Sequence, residues 1–196
     1  GEALIVLKPG DMKALVVRSH APIRVSSSQV VRVLDQGPKI LLVGRKIGSA
    51  IISHGHGAYR VEVVSPDVQR TYESFKAANR SLQGLHIDVA QNKVLVGGTL
   101  LRWRDWLRLK DLRNQSGGSW SMKAQVDRVI LARVRREFFR LSLHHQIPHH
   151  FIHLEPYPSA TIPQEMATRT RLKTFLGEYG IETVVDAARL SGAPTI

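Results

Sequence analysis

The chain has 196 residues, 43% of them hydrophobic, no cysteine and a formal net charge of +12. That length holds one large domain or two to three small ones, and that apolar content is enough for packed cores and too high for a disordered tail. The missing cysteines exclude disulfides, zinc–thiolate sites and thiol catalysis together, and no apolar run reaches the roughly 20 residues of a membrane helix.

The first residues, Gly1 to Leu7, lack the charged start and long apolar core of a signal peptide. The chain therefore reads as a cytosolic protein or as the trimmed form of an exported one. Residues 1–65 carry nine basic and four acidic side chains, residues 66–126 ten and five, and residues 127–196 nine and seven. The positive excess is spread over the first two thirds and is not a tail. Spread charge of one sign serves solubility, and it also favours acidic partners.

Up to about Val64 the chain reads as β. Short β-branched runs fall at Leu4 to Leu7, Ala14 to Val17, Ile23 to Val25, Val30 to Leu34, Ile40 to Val43, Ser49 to Ile52 and Tyr59 to Val64. Turn residues such as Lys8-Pro9-Gly10-Asp11 and Gln36-Gly37-Pro38 separate them. This spacing predicts a small sandwich or barrel. Ser65-Pro66-Asp67 then offers a helix N-cap. Val68, Tyr72, Phe75 and Leu82 recur at helical offsets, and Gly84 ends that run. Leu85 to Val89 and Lys93 to Leu100 read as strands, Trp103 to Arg113 as a helix, and Trp120 to Ala124 as a closing strand. The order predicts a small α+β unit whose two helices share one sheet face.

Val126 to Leu143 is the clearest helix, with Val126, Ile130, Val134, Phe138 and Leu141 on one stripe and Arg128, Arg135, Arg136 and Arg140 mainly on the opposite arc. Phe151 to Leu154 and Ala160 to Ile162 read as strands, Met166 to Tyr179 as a helix capped by Gly180, and Ile181 to Val185 as a last strand. The order helix, strand, strand, helix, strand thus occurs twice. The expected fold is α+β: an all-β domain at 1–65, a first α+β unit at 66–125 and a second at 126–196.

Two segments carry a resemblance. Ile40-Leu41-Leu42-Val43-Gly44-Arg45-Lys46-Ile47-Gly48-Ser49-Ala50-Ile51-Ile52, a glycine turn and Tyr59-Arg60-Val61-Glu62-Val63 resemble the N-terminal β domain of pilus-assembly secretins of the tight-adherence and type IVb kinds. Gly44 and Gly48 are expected at positive φ, where a side chain would clash. Leu85 to Val89 and Lys93 to Leu100 look like the core of the domain of osmotic-shock and nodulation (BON) proteins. The resemblance covers about residues 4–113. The Asn-Pro or Asp-Pro usual in that family before the middle strand is replaced by Val25-Ser26-Ser27-Ser28-Gln29. It implies a periplasmic scaffold in an outer-membrane complex, whose copies associate into stacked rings for pilus assembly or protein secretion. The family's barrel region is absent from these residues, which implies a fragment or a barrel-less relative.

His144, His145, His149, His150 and His153 cluster, but Pro148 interrupts them and no HExxH spacing occurs. A solvated loop is the first reading, and no metal is assigned. His54-Gly55-His56-Gly57 reads as a hairpin tip. Trp103, Trp106 and Trp120 lie among Arg102, Arg104, Arg108 and Lys110. A wet helix face, a protein interface, and nucleic acid or lipid are the readings in that order. The interface candidates are Arg102, Trp103, Arg104, Arg108, Arg135, Arg136 and Arg140. Gly44 to Gly48 lacks the phosphate-loop pattern. Asp105 and Asp111, or Glu178 and Glu182, read as carboxylates on helix faces with nothing to pair with. No nucleophile elbow occurs, so no enzyme and no cofactor are expected. The expected partners are copies of the chain and acidic inner-membrane or periplasmic proteins. A phospholipid-binding module acting through Arg102, Arg104 and Arg108 is the alternative, and a nucleic-acid-binding protein ranks behind it.

Overall fold

The structure, a computed structural model, describes residues 2–17, 21–55, 57–115, 120–162 and 183–185. The fold is α+β. One compact unit holds Gly1–Leu100 with Lys110–Gln125, and a second holds Leu101–Leu109 with Val126–Ile196.

All seven expected strands form at the start of the first unit: β1 (Ala3–Leu7), β2 (Met12–Val16), β3 (Ile23–Val25), β4 (Val31–Asp35), β5 (Lys39–Gly44), β6 (Gly48–His54) and β7 (Gly57–Val63). They make two sheets, in the orders β1-β7-β6-β3 and β2-β5-β4. Every pairing is antiparallel except β1 with β7, which run parallel. Side chains alternate across each strand, so Ile40 and Leu42 of one sheet and Ala50, Ile52, Val61 and Val63 of the other meet in one buried core. This is the sandwich of the two alternatives the sequence left open.

The glycine motif works differently from the expectation at one position. Gly44 is not among the residues at positive φ. It is needed because a Cβ there would lie 2.6 Å from the Lys8 carbonyl oxygen, and one at Gly48 would lie 2.8 Å from Val30 Cγ2. Close approach of neighbouring chain, more than backbone freedom, fixes these two residues.

Helix α1 (Pro66–Asn79) begins where Ser65 Oγ accepts the Val68 N–H at 3.4 Å, with Pro66 in the first turn and Asp67 beside it. It lays Val68, Tyr72 and Phe75 inward, against β8 (Leu85–Ala90) and β9 (Lys93–Leu100). Those strands form a hairpin whose tip, Gln91-Asn92, has both residues at positive φ, as a two-residue turn of this hand requires. β10 (Trp120–Met122) lies parallel to β9 on the other edge. Helix α2 (Trp103–Gln115) follows β9. Its first turns, up to Leu109, group with the second unit, where Trp103 packs against the Val134, Phe138 and Ile147 cluster, and the rest groups with the first.

The chain then passes through β11 (Gln125–Val126) into α3 (Arg128–His144). Asp127 caps α3, its Oδ1 accepting the Val129 and Ile130 N–H groups at 3.0 and 3.2 Å. Because the cap sits at Asp127, Val126 leaves the expected helical stripe and joins a strand. A 3-10 turn at His149–Phe151 replaces the first part of the next expected strand, leaving β12 (Ile152–His153). β13 (Ser159–Ile162) pairs antiparallel with β12 and parallel with β14 (Thr183–Val185). The expected helix from Met166 to Tyr179 and its Gly180 cap lie outside the described residues.

Within the first unit, a polar seam joins the sandwich to the α+β part. Arg60 on β7 ion-pairs with Asp88, reaches the Val89 carbonyl at 3.2 Å and lies 3.4 Å from Glu62. The nearly buried Glu62 also accepts the Ser49 hydroxyl at 2.9 Å. Asn92 Oδ1 accepts the Ser65 N–H, and Asp11 accepts from the Gln69 amide, both at 2.7 Å. Burial raises the Glu62 carboxyl above its ordinary value, opposed by the Ser49 hydrogen bond and the Arg60 charge, while the Asp88 charge adds to the rise. Burial also opposes ionisation of Asp88, but the Arg60 hydrogen bond, the Val89 N–H and nearby positive charge outweigh it and hold that carboxyl below its ordinary value.

The signs differ accordingly. Asp88 contributes stability that is present above the ordinary aspartate range and is lost as pH falls through its lowered folded value. Ionisation of Glu62 costs stability as pH rises past the ordinary glutamate range. Arg60→Ala leaves two carboxylates facing each other without their cation. It is expected to lower stability by about 2–3 kcal/mol at neutral pH, the partial exposure of the pair reducing the figure for a buried one. The deficit shrinks as acid neutralises both carboxylates, and urea unfolding of both proteins across the acid range measures it. A deficit that grows with acid would contradict this account.

Candidate interaction surfaces

The interface candidates on α2 divide. Arg102 stands just before the helix and turns back along it, its Nε and Nη2 donating to the two oxygens of Asp105 at 2.7 and 3.1 Å. Asp105 is fully buried. The sequence reading left Asp105 with nothing to pair with, and the structure corrects it: a buried carboxylate needs a cation, and the bidentate guanidinium three residues earlier supplies one. Trp103 is half-buried in the second unit's apolar cluster. Trp106 stacks on Tyr157, centroids 4.6 Å apart and rings 25° from parallel. Burial raises the Tyr157 phenol above its usual range, with Arg135 pulling the other way. Arg104 and Arg108 are exposed.

Trp120 is elsewhere. It packs on Phe75 in the first unit at 5.7 Å, with the Arg113 guanidinium 5.8 Å from its ring centre. Trp103 and Trp106 thus belong to the second unit and Trp120 to the first.

The arginines of α3 also divide. Arg135 faces its own unit. Its Nε donates to the Leu154 carbonyl at 3.0 Å, and its Nη2 donates to Glu155 Oε2 at 2.8 Å and to the Pro156 carbonyl at 2.6 Å. It thereby satisfies backbone oxygens of the segment after β12. Arg136 and Arg140 are exposed. The opposite side of the helix is apolar, with Val134 and Phe138 buried and Ile130 and Leu141 packed against them.

The histidine cluster makes aromatic contacts. His144 and His145 meet edge-on at 5.6 Å, His149 and His150 at 5.9 Å, and His150 lies 4.1 Å from the Phe151 ring. Among the described residues no group of three or more histidines and carboxylates is placed to hold a metal ion. At the β6–β7 hairpin His54 pairs with Gly57, and His56 lies outside the described residues. No helix of the described residues is long and apolar enough to cross a membrane.

Two features escaped the sequence reading. Arg60 and Glu62 look, residue by residue, like a solvent face of β7, and Asp88 like one of β8. The exposed Val129, Phe139 and Leu143 on α3 form a second stripe, which their spacing could have shown. No protein-family model matches the chain, and no curated protein matches it.

Proposed function

We propose that this chain is the periplasmic scaffold portion of an outer-membrane secretin, whose copies pack side by side into stacked rings for pilus assembly or protein secretion. The observation that carries the reading is a repeated strand polarity. In the first α+β part the middle strand β9 runs antiparallel to the strand before it and parallel to the strand after it, and β13 in the second does the same. With a β sandwich before them, two such small units in tandem suit a chain whose activity is surface shape. Closed symmetry adds many weak contacts together. Headgroup binding through Arg102, Arg104 and Arg108 is less favoured, since Asp105 already holds Arg102.

Charge sets the conditions of assembly. Copies at +12 repel one another, and salt screens this over about 8 Å at physiological ionic strength. The chain alone is expected to be monomeric at low salt, to associate as salt rises, and to need an acidic partner for stable rings. Light scattering over a salt series checks this. Stable rings at low salt would contradict the repulsion, and a monomer at every salt and protein concentration would contradict the ring reading.

A further inference from the structure

We propose that the outward face of α3 is a docking surface for an acidic amphipathic helix of another protein. The inference gives the acidic partner of the scaffold reading a place to bind, but it stands on α3 alone.

Away from the buried Phe138 side, Val129 is 76% exposed, Phe139 40% and Leu143 48%. With Ala132 and Arg136, also exposed, they fall at positions 129, 132, 136, 139 and 143, steps of three and four in alternation. That is the seam spacing of two helices packed lengthwise. At about 1.5 Å per residue the row is ~21 Å long, enough to seat four turns of a partner. Arg133, Arg136 and Arg140 are exposed along the same face, and Glu137 is the helix's one carboxylate.

Charge complementarity chooses the occupant. A second copy laid antiparallel would bring Arg136 and its neighbours against their own kind. A lipid surface would draw Arg136, which sits midway along the apolar row, toward the acyl region, where an unpaired guanidinium is costly. A helix with apolar seam residues, one central glutamate and acidic flanks covers the row and meets Arg136 with a charge-assisted hydrogen bond.

The probe is a synthetic helical peptide of three heptads with leucine at the seam, one central seam glutamate and glutamate on both flanks. Saturable binding to the intact chain is expected by fluorescence anisotropy, weakened by about tenfold or more by Arg136→Glu and abolished by lysine in place of the peptide's flanking glutamates. Since the chain has no cysteine, Val129→Cys and Leu143→Cys each give a single thiol. Both are expected to react rapidly with a maleimide in the free chain and slowly with peptide bound. A thiol protected in the free chain at every concentration means the chain covers its own face, and protection that rises with protein concentration means a second copy does. Binding to phosphatidylglycerol vesicles but not to peptide means lipid, and peptide affinity unchanged by Arg136→Glu means another site. Each of these four results overturns the proposal and leaves the salt-dependent association of the chain a separate question.

Discussion

Gly98→Ala is expected to unfold much of the first unit's α+β part, while Gly97→Ala next to it leaves that part intact. Gly98 has φ +100 and Gly84 φ +85, and the two backbones cross where Leu85 pairs with Gly98. A Cβ on Gly98 would lie 2.1 Å from the Gly84 carbonyl oxygen, and one on Gly84 would lie 2.0 Å from that of Thr99. Both contacts are with backbone, so no rotamer change relieves them. The left-handed conformation alone costs a side chain about 1 kcal/mol, and separating the strands breaks ladder hydrogen bonds as well. A total of about 4 kcal/mol is a large share of the ~5–15 kcal/mol that holds a domain folded. Gly97 has nothing within 4 Å of its Cβ position, and alanine there is expected to change stability by less than about 1 kcal/mol. Hydrogen exchange over residues 85–100 distinguishes the outcomes. Equal protection in both variants would mean the crossing is looser than described.

Phe138→Ala is expected to cost the second unit about 3–5 kcal/mol, the usual loss for a buried phenylalanine replaced by alanine. Phe138 is fully buried among Val134, Ile147 and the partly buried Trp103, Ile130 and Leu141. Phe139, the next residue, is 40% exposed, and its alanine variant is expected to lose no more than about 1 kcal/mol. The contrast separates what the helix does for its own unit from what it offers outside. Urea unfolding of both variants measures it, and a similar loss from each would show that Phe139 also has a covered environment.

The sandwich was legible because strand period and burial agree. Ile40 and Leu42, or Ala50 and Ile52, alternate with less buried residues, and glycine and proline punctuate the runs. The core side of α3 was legible for the same kind of reason, at a period of 3.6. What escaped depends on partners distant in sequence. Glu62 alternates correctly as an outward residue of β7. It becomes buried because that face is covered, and Asp88 arrives there from 26 residues on with no local sign. Arg102 and Asp105 had the right spacing to pair, yet nothing nearby announced that the carboxylate would be fully enclosed. The outward row of α3 was partly hidden by Arg136, a charge in the middle of an apolar pattern.

The parallel pairing of β1 with β7 also ties the two ends of the sandwich together. Leu7 lies beside Val63, and the Val64 N–H donates to the Leu7 carbonyl at 2.8 Å. The first strand of the sandwich is thus seated against its last, and Ile5 and Leu7 find their ladder partners, Val61 and Val63, only across the whole length of the domain. Contacts so distant in sequence are the slow kind to form, so the sandwich is complete only when its two ends have met, beside the Ser65 cap that starts α1.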